Sequence, residues 1–144
     1  MEMSWLEIAL RLGSAAIAGA AIGIEREIQH KAAGFRTIAI VCIGAAVATL
    51  AGVTATADPA AASRVLQGVL AGIGFLGAGV IVHQAQTQHV KGLTTAASIW
   101  TAAAIGSVCG LGLWKIALVS TGLVLILLVA ARYVERAFKH HESR

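Results

Sequence analysis

The sequence predicts an all-α fold, a polytopic membrane bundle of about five transmembrane helices with its N-terminus outside and its C-terminus in the cytosol. Three observations carry this. Of 144 residues, 58% are hydrophobic and only 12% charged, where soluble domains run at roughly 45–50% and about 25%. The mean hydropathy of +0.81 also excludes disorder, because disordered chains are polar and highly charged. Finally, the charges cut the chain into apolar stretches near the roughly 20 residues that a spanning helix needs.

The first helix is expected over about 5–33. It qualifies by length despite Glu7 and Arg11, and Glu2 and Glu7 replace the basic start of a cleavable leader. Glu27 and Lys31 form a favourable i,i+4 pair that extends this helix past the membrane, and Gly34 stops it. The second, about 37–57, is the cleanest span, with Thr37 to Ala57 free of charge. A turn at Asp58-Pro59 follows, and Ser63 or Asp58 caps the third helix, about 63–83. The charge-free stretch beyond it turns polar at His83, Gln84, Gln86, Gln88 and His89. Thr94 or Thr95 caps the fourth, about 94–110, and the fifth runs over about 113–136. Residues 1–136 thus form one transmembrane domain, and 137–144 a short polar cytosolic tail.

Lys and Arg set the orientation. Arg26, Lys31, Arg36, Lys91, Arg132, Arg136, Lys139 and Arg144 fall on one side, Arg64 and Lys115 on the other. That bias puts the tail in the cytosol. It also accounts for the net charge of +4 without nucleic acid as a partner. Trp5 and Trp114 then mark the outer interface and Tyr133 the inner one. Measured from the inner helix ends, Cys42 and Cys109 differ in depth by roughly 15 Å, too far for a disulfide.

Three constellations stand out. Glu7, Arg11, Ser14, Ala18, Ala21 and Glu25 share one face of helix 1, polar at both ends and small in the middle. Either Glu7 and Arg11 pair near the interface while Glu25 sits among headgroups, or the stripe lines a cavity or cation site. Gly68, Gly72, Gly74, Gly77 and Gly79 crowd helix 3, with further Gly-x-x-x-Gly steps at Gly19/Gly23 and Gly106/Gly110. They read as close-packing faces, or as a local unwinding that offers backbone groups to an ion. Gly92, Thr94, Thr95 and Ser98 open helix 4, with Thr94, Ser98 and Thr101 on one face. The five histidines have no ligand partners at metal spacing, and no nucleophile–base pair is present. No enzyme, metal or cofactor is expected.

Helix 1 leaves the membrane where helices 2 and 4 enter, so Glu25, Arg26, Lys31 and Arg36 converge with Thr94, Thr95 and Ser98 at the cytosolic mouth. Glu25 is expected to accept hydrogen bonds from Arg36 or from the helix 4 hydroxyls, at the positive end of that helix dipole.

Glu25-Arg26-Glu27, Lys31, Ala33-Gly34-Phe35-Arg36-Thr37, the glycine run Gly72 to Gly79, and Lys91-Gly92-Leu93-Thr94-Thr95-Ala96-Ala97-Ser98 together resemble the MgtC/SapB family of bacterial inner-membrane proteins. The resemblance covers about Glu7 to Arg136. Many members add a soluble domain after the last helix, and some virulence-associated members have Asn and Cys where Thr94 and Thr101 stand. The resemblance implies a multi-pass protein of the bacterial inner membrane, linked to growth at low magnesium, acid stress and survival inside host cells. It also implies a possible membrane partner, the F-type ATP synthase, besides membrane lipid. The expected function is accessory or regulatory, through helix–helix contacts with a partner or in a homo-oligomer. The alternative is a small Mg2+ or proton transporter built on Glu25 and the glycine-rich third helix.

Overall fold

The computed structural model describes residues 3–56, 58, 60–84 and 92–142, with side chains omitted for 82–84 and 135–142. The expectations for Pro59, His83 to Lys91 and the side chains of the tail therefore lie outside the described residues. Within them the chain is all-helical: α1 (Trp5–Ile28), α2 (Phe35–Thr54), α3 (Ala61–Gln84), α4 (Leu93–Gly110) and α5 (Trp114–Glu142). All five are long and apolar enough to cross a membrane.

Ser4 caps α1 by accepting the Glu7 N–H. The far end comes earlier than the sequence suggests. His30 takes a left-handed φ of 53°, and the His30 and Lys31 amides bond back to Glu27 O and Arg26 O. That pairing closes the helix as a left-handed C-terminal cap, so helix 1 stops at Ile28 rather than at 33. Lys31 lies beyond the helix, and Glu27 turns instead to α2, accepting the Phe35 N–H at 3.0 Å. Gly34 is the N-cap of α2 and not the stop of α1. A Cβ at Gly34 would displace the Glu27 carboxylate from its place against the Phe35 amide.

Of two further caps, one follows one of the two expected alternatives and the other differs. Asp58, not Ser63, leads into α3, accepting the Ala60 N–H at 2.8 Å and pairing with Arg64 at 2.5 Å. Arg64, then that amide, hold the Asp58 carboxyl below its usual range. Gly92, not a threonine, caps α4, with φ at 92°, a conformation costly to residues bearing a Cβ. Thr94 and Thr95 lie inside the first turn.

The core is built from α1, α2 and α4. Over half of the α4 span is buried, whereas among the described residues of α3 only Ala61 and Gly77 are. α3 packs on α2 and α4, and α5 packs on α1 and α4. Glycines let the three core helices touch by backbone. A Cβ on Gly19 would stand 2.9 Å from Ala39 Cα, one on Gly23 2.7 Å from Phe35 Cα, and one on Gly106 2.9 Å from Cys42 Cα. Such contact suits a bilayer, where close packing rather than water exclusion drives association.

The cysteine depths need correction. Gly106 is level with Cys42, so Cys109, three residues on, is offset by about 4.5 Å and not by 15 Å. The sequence argument measured depth from loop ends, but α4 begins well below α2 along the bundle. Both cysteines are free and buried.

Candidate functional site

Arginines on α1 tie it to α4 near both ends. Near the Trp5 end Arg11 Nη1 donates to Gly110 O at 2.8 Å, at the negative pole of the α4 dipole. Arg11 also pairs with Glu7 one turn earlier, as one of the two sequence readings has it.

The other end carries the less ordinary contact. Arg26 is 1% exposed and is the largest fully buried side chain. Its Nε donates to Ala33 O at 2.9 Å, Nη1 to Ser98 Oγ at 2.8 Å and Nη2 to Thr95 Oγ1 at 2.6 Å. Ser98 in turn donates to Thr94 O at 2.8 Å. Among the described residues Arg26 makes no ion pair. Burying a charge without a counter-charge costs several kcal/mol, and the positive pole of α4 adds to that cost. What offsets it is the negative end of α1 itself and three acceptors drawn from two segments, the α1–α2 connection and α4. One side chain thereby fixes the end of α1, the α1–α2 connection and the start of α4.

Glu25 is not part of this cluster. Its Oε1 accepts from Gln29 Nε2 at 2.9 Å and lies 3.5 Å from Arg132 Nη1 on α5. The contact with α4 expected of Glu25 is made by its neighbour, because one residue turns the helix by about 100°. The signal was in the sequence: Ala15, Gly19, Ile22 and Arg26 step by 4, 3 and 4, and all four are buried.

The other expected residues divide. Thr95 and Ser98 join Arg26, whereas Thr94 is exposed. Glu27, Lys31, Gly34, Arg36 and Thr37 share a separate open cleft of about 500 Å³ at the same end of the bundle. Lys31, Arg36 and Thr37 are exposed there. Gly92 acts only as a cap. On α3, Gly77 is buried and packs against Ala96, while Gly68, Gly72, Gly74 and Gly79 face no neighbour among the described residues. The helix is continuous through all of them, so the unwinding considered from the sequence does not occur. Among the described residues, no three His, Cys, Asp or Glu side chains gather as metal ligands.

Residues 12–137 match the MgtC family. Protein SrpB of Synechococcus elongatus is 40% identical over 143 residues, which is 92% of this chain and 79% of that protein. An uncharacterized protein of Synechocystis sp. is 39% identical, over 96% of this chain and 58% of that one. Protein MgtC of Salmonella typhimurium is 45% identical over 116 residues, 81% of this chain and 48% of its own length. The chain therefore spans most of one of these relatives and about half of the other two. No solved structure matches it.

Proposed function

This chain belongs to the MgtC family, and from that premise we propose that it serves bacterial adaptation to low magnesium and acid stress as an accessory or regulatory protein. It acts in the inner membrane, N-terminus outside, through helix contacts with itself or with a membrane partner such as the F-type ATP synthase. One observation supports contact over conduction: the charged groups Arg11, Glu25 and Arg26 are engaged within the bundle while a small-residue surface faces outward. Arg26, Arg11 and Glu25 are each held by neighbouring helices. Gly68, Gly72 and Gly79 lie exposed, with open space before them, which is the kind of surface that lets another helix approach closely. The transporter reading draws no support from this arrangement, since α3 packs on α2 and α4 and, among the described residues, makes no contact with α1 or α5, which carry Glu25 and its partner Arg132.

The test is rescue of growth at low magnesium in a strain lacking its own family member, with a fluorescent reporter that matures only in the cytosol fused after α5. Wild type is expected to rescue and to fluoresce. A Gly72→Leu/Gly79→Leu variant should insert and fluoresce equally yet fail to rescue. Full rescue by that variant would sink the contact role, and a dark wild-type fusion would reverse the orientation.

A further inference from the structure

The α1–α2 connection carries positive charge on both of its sides. On the inner side lies Arg26, fully buried and, among the described residues, in no ion pair. Its Nε donates to Ala33 O at 2.9 Å. Ala33 stands between Ala32 and Gly34, which both line the open cleft of about 500 Å³ on the outer side. The backbone of this connection is therefore the wall between the buried guanidinium and the cleft.

The cleft itself is lined by Lys31 and Arg36. Both are exposed, and neither pairs with a carboxylate among the described residues. Glu27 is the acid in the lining, and its Oε2 is committed to the Phe35 amide. Glu25 is held by Arg132 and Gln29, and Glu7 and Asp58 belong to the far end of the bundle, at the start of α1 and ahead of α3. Three cations thus surround one engaged carboxylate. A cleft lined by one sign of charge concentrates ions of the other, and the buried member of the set is screened less by salt than the exposed two. The lining also has the groups that a phosphate takes: a planar guanidinium fork on Arg36, a point charge on Lys31 and the Thr37 hydroxyl.

We propose that this cleft binds a phosphate group, gripped between Lys31 of the connection and Arg36 of α2, with Arg26 attracting it through the wall. The bound phosphate supplies the counter-charge that Arg26 lacks, and it joins the connection to the first turn of α2. A soluble phosphate and the phosphate of an anionic phospholipid share this chemistry. The cleft opens where two spanning helices end, the level of lipid headgroups, and a volume of this size holds a phosphate together with its ester substituent. The site does not rest on the contact role of α3.

The full chain in mild detergent tests this in two arms. In one, inorganic phosphate is titrated against thermal unfolding, with sodium chloride of equal ionic strength as the blank. In the other, native mass spectrometry compares retention of phosphatidylglycerol with that of the diacylglycerol bearing the same two chains. Wild type should respond in at least one arm, and the arm that responds identifies the source of the phosphate. Lys31→Gln and Arg36→Gln, both at exposed positions, should each weaken that response about fivefold, the worth of one exposed charge contact. Lys115→Gln, an exposed cation at the opposite end of the bundle, should leave it within about twofold of wild type. No response in either arm would overturn the assignment. So would a loss with Lys115→Gln equal to that with Arg36→Gln, because net charge and not the cleft would then be what binds.

Discussion

Arg26 shows how a single register position decides what a charged residue does. Glu25 and Arg26 are adjacent, both fall in the last turn of α1, and both are polar. One meets α5 and the other is enclosed by α4 and the α1–α2 connection. Attention to Glu25 as the acid of the stripe placed the centre one residue away from where it lies. The guanidinium fork is what the site uses, because three acceptors in different directions cannot be met together by a single ammonium as they are by a planar fork. Arg26→Lys keeps the charge and loses about two charge-assisted bonds, so it should destabilise by about 3 kcal/mol or more. Glu25→Gln, which removes one long and partly exposed ion pair, should cost under about 1 kcal/mol. Reversible unfolding in mixed detergent micelles compares them. Equal losses for the two variants would show that the Arg26 fork holds nothing special.

At the scale of helices, the glycines are of two kinds that sequence spacing cannot separate. Gly106 stands against the Cys42 backbone, whereas Gly72 faces open space, yet both sit in small-residue steps inside apolar helices. Gly106→Ala should therefore cost about 1–3 kcal/mol through overpacking, and Gly72→Ala should fall within about 0.5 kcal/mol of wild type. Thermal unfolding of both variants in one detergent settles the contrast; a neutral Gly106→Ala would mean that α2 and α4 are not in backbone contact. Helix existence was legible because uncharged stretches of spanning length have few other uses. Helix ends were not. Glu27 and Lys31 have the spacing of a stabilising pair, but His30 turns left-handed and the Glu27 carboxylate is drawn to the first amide of α2. The offset between α2 and α4 escaped for a related reason, since the depth of a connection is set by packing that loop residues do not encode.

The described residues form an α1–α2–α4 core clamped by arginines near both ends, with α3 packed on α2 and α4 and α5 packed on α1 and α4. Its interior is small-residue packing with the Arg26 fork at one end, the buried Thr49 and Ser107 hydroxyls having no hydrogen-bond partner among the described residues, and its unfilled surfaces look outward, toward lipid or another helix. The fold class and the number of spans followed from hydropathy and charge spacing. The division between inward and outward glycines, which favours contact over conduction, required the packed structure. Ion flux into liposomes carrying the purified chain tests that reading most directly, with Mg2+ and proton indicators inside and an imposed gradient across the bilayer. The account predicts flux no greater than in protein-free liposomes for wild type and for Glu25→Gln alike. Sustained Mg2+ or proton entry with wild type that Glu25→Gln abolishes would contradict it.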